Sequence, residues 1–452
     1  MEHVDVAIVG GGPAGSSAAE AAADHGADAV LLEKGVPRAD REGTGPDSTD
    51  AAGLLDYWFD IMGIPRSEFP EDVVLSELDG AKFYGPSTEM TLTETGISSS
   101  SDGFGITFHR ARFDDWLRER ATEAGADYRV GVSVTGVETD LGSSPRHTVR
   151  LANDEDIAAE YVILADGPQR TITGGTLDQF LPAGQTMADI MPSNKANHIA
   201  YQEHRRMPEE LFTPEFIEFW WGIMPGHTAY PWIFPNDAPV ARIGLTMPIG
   251  LDIDAYDRSE WDLLRESDES IPQGRKYIER LLEQEFQAYD LDDFPLVEDR
   301  GKSKGTETYP ISSTRPIESP VGAGIAVAGG AMGTTSAFHE GGDHVAVRTG
   351  KIAGRLAAND RLERYNDAWH DAIGDEILRN VTFADMVRDW RPGDWDRAFR
   401  TANDLMDARG IKADAALRGG LNGLRMVFSY KWGKFSYRNG KYVQLREDDY
   451  AV

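Results

Sequence analysis

Gly10, Gly12 and Gly15 form G-x-G-x-x-G directly after the apolar run VDVAIV that ends at Val9. Pro13 and Ala14 sit between the last two glycines, and small residues continue toward Gly26. A second apolar run, AVLLE, ends on Glu33 and is followed by Lys34. Each residue type has a task in holding a dinucleotide. Gly10 permits a tight turn, Gly12 lets the backbone approach a pyrophosphate, and Gly15 lets a helix pack closely on the sheet. The N-terminus of that helix then faces phosphate oxygens. An acid at position 33 can accept both ribose hydroxyls, which disfavours NADP here and leaves NAD or FAD.

Other chemistries are excluded or set aside. The chain has no Cys, so disulfides, thiolate catalysis, Fe–S ligation and Cys-type zinc sites are ruled out. His339, Glu340 and His344 invite a zinc reading, but five positions rotate a helix by about 500°. The two rings would then face directions about 140° apart, and no metal is expected. Neither a G-x-S-x-G elbow nor a P-loop occurs. Tyr230, Trp232 and Phe234 alternate in AYPWIFP, which places them on one face of an extended strand. Such a stripe is either plain core or the wall of an apolar cavity.

The chain that must position these residues has 452 residues and a formal net charge of −31. That length suggests two or three units sharing a core. Acids are dispersed (Asp24, Asp28, Asp40, Asp56) rather than gathered in a tail, and Arg far outnumbers Lys. The pattern resembles adaptation to high intracellular salt; the alternative is an ordinary acidic cytosolic enzyme. Phosphate backbones would be repelled, so no nucleic acid is expected. No apolar run is long enough to span a bilayer, no signal peptide fits, and a cytoplasmic location is expected. One window departs from the acidic pattern. Between Ala415 and Arg446 there is no Asp or Glu, while Arg418, Arg425, Lys431, Lys434, Arg438, Lys441 and Arg446 alternate with Phe428, Tyr430, Trp432, Phe435, Tyr437 and Tyr442. Rings and cations together suit peripheral membrane contact through 415–446. They equally suit a hairpin folded on the protein's own acidic surface, or an acidic redox partner.

Four further segments resemble the flavoprotein family that includes para-hydroxybenzoate hydroxylase and, more closely, the geranylgeranyl reductases. HRARFDDWLRERATEAGA, from His109 to Ala126, is similar to the family's R-x-x-F-D-x-x-L helix. The resemblance places Arg110 near the flavin pyrophosphate or ribityl chain; otherwise Arg110 caps the helix start. YVILADGPQR follows an expected hairpin region, Tyr128 to Leu151, and puts Asp166 and Gly167 close to FAD. Y-x-W-x-F-P followed by VARIGLTMP resembles the reductase signature, which implies that Tyr230, Trp232, Phe234 and Pro235 line a lipid cavity. GIAVAGGAMGTTSAFHEGGDHVAVRTGKIAG resembles the second flavin motif through Gly329, Gly333, Gly342, Ala346 and Gly350. It departs from that motif at Gly330, where the family has a ribityl-bonding Asp, and at Ala337 for Pro. Glu340-Gly341-Gly342-Asp343 stands where the family has G-E-G-I, and LERYNDAW continues the likeness.

The resemblance implies an α/β fold with a discontinuous Rossmann-like FAD-binding domain (1–75, 100–180 and 300–370). It also implies a mixed, largely antiparallel substrate domain (76–99 and 185–299). Residues 371–452, on which the resemblance says little, read from their own sequence as a C-terminal helical and basic-aromatic extension. The implied activity is FAD-dependent reduction of carbon–carbon double bonds in isoprenoid chains, of a geranylgeranyl ether lipid or a polyprenyl quinone. NAD(P)H or ferredoxin would supply electrons, and Tyr230 is the candidate proton donor. The rivals are an NAD(P)H-linked flavin monooxygenase, a quinone-linked electron-transfer flavoprotein, and a flavin-binding protein without turnover.

Overall fold

The computed structural model describes residues 1–36, 52–191, 197–301, 303–408, 430–431, 433–437 and 440–452. The first apolar run forms the strand Glu2–Val9, parallel to Ala29–Glu33 on one side and Ile157–Leu164 on the other. Asp127–Val130 extends the parallel sheet beyond Ala29–Glu33, and Ile325–Val327 extends it beyond Ile157–Leu164. Only Val134–Thr139 and His147–Leu151 form the expected hairpin. Tyr128 belongs to the parallel layer instead, so the hairpin begins later than its sequence neighbourhood implies.

The helix Pro13–Asp24 packs against the helix Asp343–Ala358. A Cβ at Gly350 or Gly354 would collide with the carbonyl oxygens of Ala14 and Ala18. Glycine at those positions therefore lets two helix backbones touch, and it draws the second motif onto the first although they are more than 300 residues apart in sequence.

A second sheet runs in the order Thr306–Ile311, His198–Arg206, Val240–Pro248, Tyr230–Pro235, Phe216–Trp220, Gly80–Tyr84, Glu89–Leu92. Its pairs are antiparallel except Phe216–Trp220 with Gly80–Tyr84. The strand Thr306–Ile311 lies in this sheet and not in the FAD-binding unit expected over 300–370, because it pairs along His198–Glu203. The outer face carries Ile233, Ile243 and Leu245 against Tyr277, Ile278, Leu281 and Leu282 of the helix Gly274–Glu285. The inner face carries Tyr230, Trp232 and Phe234. A small third sheet, Gly53–Leu55, Gly105–Phe108 and Val74–Leu78, completes the layers.

Two helices, Tyr365–Val387 and Pro392–Ala408, follow. Trp395 and Phe399 from the second reach the inner-face aromatic cluster. The described part of the basic-aromatic window lies on the first. Tyr430 stacks on Phe383 at 4.9 Å, Lys434 sits 3.2 Å from Asp375, and the Tyr437 hydroxyl donates to Asp385. Tyr442 is buried and bonds His370, while Phe435 is exposed. Arg418, Arg425, Phe428, Trp432 and Arg438 lie outside the described residues. Among the described residues, no helix is long and apolar enough to cross a membrane.

Candidate functional site

At the first motif the backbone does the work. Gly10 has φ +102°, and a Cβ there would collide with the Ala165 carbonyl; one at Gly15 would collide with Gly10 itself. Gly12 is different: an added Cβ would meet nothing within 4 Å. Open space therefore lies beside a half-exposed backbone at the start of the helix Pro13–Asp24, where Pro13 occupies the first turn and Ala14 is buried. The Glu33 carboxylate accepts the N–H groups of Gly11 and Gly35, each at 2.6 Å. A carboxylate offers about four acceptor sites, so two remain for ribose hydroxyls. Lys34 is exposed beside it.

The other expected cofactor residues converge more loosely. Arg110 is buried, with Nε 2.9 Å from Asp114 and Nη1 3.6 Å from Asp343 at the start of the second motif helix. It thus ties two helix starts together, which fits both readings of this residue. Asp166 is half-buried and caps the helix Thr171–Leu177, accepting from Ile172 N at 2.7 Å and from the Thr173 hydroxyl. Gly167 turns with φ +80°. Gly329 (φ +62°) abuts Ala14, while Pro168 leans on Gly330, where a Cβ would lie 3.3 Å from its ring. The ribityl-bonding Asp of the resembling family thus gives way to a close Pro–Gly contact. Glu340 stands where that family carries a glycine, and from Glu340 through Gly342 to Asp343 the chain is half-exposed at the helix start. The Thr334 hydroxyl nearby is buried without a partner among the described residues, so one polar group on this loop still offers a hydrogen bond.

The sheet's inner face meets this loop. The Tyr230 hydroxyl donates to the His339 carbonyl at 2.6 Å, and its ring stacks on Trp221 at 4.3 Å. Trp232 lies across Gly244, where a Cβ would sit 2.5 Å from the indole; glycine makes room for the ring. Phe234 packs edge-on to Phe219 at 5.4 Å. Pro235 does not share this wall. It alternates to the outer face and lines a surface groove with Ile233, Ala241 and Phe216, which corrects its placement in the cavity. The proton-donor role also fits Tyr230 poorly. Burial, with the charge of Glu340 second, pushes its hydroxyl well above the ordinary tyrosine range, and the hydroxyl is tied to a carbonyl.

His339 and His344 likewise differ from the helical picture drawn for them. His339 precedes the helix that starts at Asp343, and both rings stack on Trp58, at 5.2 and 4.0 Å. The angular argument against shared ligation therefore has no helix to act on.

Comparison with known proteins bears directly on this geometry. Residues 3–214 match the protein family described as FAD binding domain. Digeranylgeranylglycerophospholipid reductase 2 of Methanopyrus kandleri is 28% identical over 397 residues, covering 82% of this chain and 83% of that protein. The digeranylgeranylglycerophospholipid reductase of Methanocaldococcus jannaschii is 25% identical over 424 residues, covering 90% and 93%. The chain is an FAD-binding oxidoreductase homologous to the geranylgeranyl reductases. Its fold is shared with a geranylgeranyl bacteriochlorophyll reductase-like protein of Thermoplasma acidophilum, with TM-score 0.68, 21% identity and coverage of 97% and 99%. The myxobacterial chondrochloren halogenase shares the fold at TM-score 0.60 and 16% identity, with coverage of 96% and 97%.

The residues of this flavoprotein fit FAD at three places. These are the open backbone at Gly12, the free acceptor sites of Glu33, and the half-exposed helix start at Gly342 with the unpartnered Thr334 hydroxyl. Sequence reasoning gave no role to Glu340 and His198, whose side chains lie 3.3 Å apart beside Tyr230. Glu340 enters the sequence pattern only in a possible metal motif and in the departure from G-E-G-I, and His198 has no motif around it. The available signal was the acid at a position where the resembling family carries glycine.

Proposed function

We propose that this flavoprotein reduces carbon–carbon double bonds of an isoprenoid chain, either of a geranylgeranyl ether lipid or of a polyprenyl quinone. The carrying observation is the inner face of the second sheet. Tyr230, Trp232 and Phe234 are buried with Trp221 and Trp395 beside the loop that runs into the second flavin motif. An isoprenoid offers nothing to hydrogen-bond, so its binding rests on apolar area of this kind. Reduced FAD, when bound, supplies the hydride. The chain's own residues hold the pyrophosphate at Gly10 to Gly15, the ribose at Glu33, and the alkene against the aromatic wall.

NAD(P)H or ferredoxin is the reductant in this reading, and the dispersed acids support a salt-adapted setting. Peripheral membrane contact through 415–446 draws support from exposed Lys431 and Phe435, whereas Lys434, Tyr437 and Tyr442 turn toward the protein's own helix.

The test is spectroscopic. Flavin in the purified protein is reduced with dithionite without oxygen, and a geranylgeranyl ether lipid is added. Return of the oxidised flavin spectrum on lipid addition is the expected result. Flavin that stays reduced until oxygen enters, and then yields hydroxylated lipid, places the protein with the monooxygenases instead.

A further inference from the structure

Reducing an alkene consumes one proton for every hydride. The wall described above is aromatic and buried, so an acid must stand within it and must be recharged from outside. Three observations single out Glu340. Its backbone has φ +60°, a left-handed conformation that costs a side-chain-bearing residue about 1–2 kcal/mol. Glycine would hold that conformation freely, so the strain is tied to the carboxyl group. Although the backbone is half-exposed, the side chain is only 2% exposed. Finally, its basic neighbour among the described residues is a histidine, a group that can exchange a proton with it: His198 Nε2 lies 3.3 Å from its Oε1.

The surroundings complete a path. Thr246, on the strand Val240–Pro248, donates its hydroxyl to Glu340 Oε2, and Thr246 pairs directly with Tyr230 across the sheet. Thr228, in the turn before Tyr230, lies 3.3 Å from Oε1. His198 Nδ1 is 3.0 Å from the Ser313 hydroxyl, which in turn is 3.2 Å from the half-exposed Asn197. The titratable groups facing Glu340 are His198 from the strand His198–Arg206 and Tyr230 from its neighbour. His227 reaches the cluster through its ring contact with His198. Burial pushes Glu340 up to about 8, with its two threonine hydrogen bonds opposing, so it holds a proton at neutral pH. Burial pushes His198 down to about 4, so the ring is neutral and presents one N–H and one acceptor nitrogen.

We propose that Glu340 is the acid of the reduction, acting on the alkene carbon opposite the one that takes hydride, and that His198 and Ser313 return its proton. The proposal rests on the reductase reading. The alkene π bond breaks and two C–H bonds form. One would receive its electron pair with the hydride that bound reduced FAD would supply on being oxidised. The other forms from the π electrons and the Glu340 proton, whose O–H pair stays on the carboxylate. Glu340 then takes the proton on His198 Nε2 while Nδ1 takes one from Ser313, whose hydroxyl regains a proton from solvent; the ring stays neutral and returns to its first tautomer before the next turnover.

Glu340→Gly and Glu340→Gln test this together. The first suits φ +60° without strain, and the second keeps size and polarity. Both should fold and retain FAD. With geranylgeranyl ether lipid, saturating turnover should fall by about 100-fold or more, while KM stays within about threefold. Wild-type turnover should decline above about pH 8. A readout independent of turnover is the infrared stretch of a protonated carboxyl in flavin-free protein at neutral pH. It should be present in wild type, titrate away as pH rises, and be missing from Glu340→Gln. If wild type leaves the lipid unreduced, the reductase reading falls and the acid role with it. If wild type reduces the lipid but either variant keeps turnover within about threefold, or the variants leave the infrared band intact, the acid role alone falls.

Discussion

The two ends of the candidate site are built from different materials. In the proposed site, the nucleotide end relies on what Gly10, Gly12 and Gly15 lack, and on backbone N–H groups and one carboxylate. The proposed reaction end instead relies on the side chains of Tyr230, Trp232, Thr246, His198 and Glu340, gathered from separate strands and a loop. The first end depends on a local spacing of residues, and the second on sheet register. A change at the nucleotide end should therefore cost the fold or the cofactor, whereas one at the reaction end should leave the cofactor in place.

The largest effect should come from Gly15→Val, because its Cβ collides with the backbone of Gly10. We expect little soluble protein and no flavin, read by absorbance after purification; soluble FAD-loaded protein would break the contrast. Trp232→Ala should cost about 3–5 kcal/mol of stability through the cavity left at Gly244, yet keep FAD and weaken isoprenoid binding. Loss of flavin in that folded variant would move Trp232 to the cofactor side. In the proposed site, Glu33→Arg would remove two charge-assisted bonds to the ribose, worth about 1.5–3 kcal/mol each. FAD should bind at least about 100-fold more weakly by titration, and unchanged affinity would remove Glu33 from the site.

Much of the nucleotide end was legible in the sequence because its causes are local. Strand, turn, helix and terminal acid follow one another between Val4 and Glu33, and each spacing has a steric reason. The alternation of Tyr230, Trp232 and Phe234 was legible for the same reason, and strand periodicity also places Pro235 on the opposite face. Glu340 and His198 were not legible. They are 142 residues apart in sequence and meet because His198–Arg206 pairs with Val240–Pro248, whose Thr246 holds the carboxyl. The place of the strand Thr306–Ile311 was hidden for the same reason: it is set by pairing with His198–Glu203, not by proximity to the second flavin motif.

Two smaller effects sharpen the contrast. In the fold Glu340 titrates at about 8 rather than at its ordinary 4.5, because burial disfavours its charge. The folded state then binds the proton more tightly than the unfolded chain, so this group's contribution to stability falls as pH rises from about 4.5 to about 8. The stability of Glu340→Gln relative to wild type should therefore grow across that window in denaturant titrations. A constant difference would mean that the carboxyl is not buried as described. Tyr230→Phe is expected to cost about 1 kcal/mol, the worth of its bond to the His339 carbonyl. Its turnover should fall less than about tenfold, far less than in Glu340→Gln; a comparable loss would return the acid role to Tyr230.

The most direct test of the account is the mass of the lipid after anaerobic turnover in heavy water by FAD-loaded protein given a chemical reductant. Reduction at each double bond adds two hydrogens, one of them from the buried acid and therefore deuterium once Glu340 has exchanged. The account predicts a saturated isoprenoid product that carries at least one solvent deuterium per reduced bond and no added oxygen. Unchanged lipid, or lipid that gains oxygen once air is admitted, would contradict it.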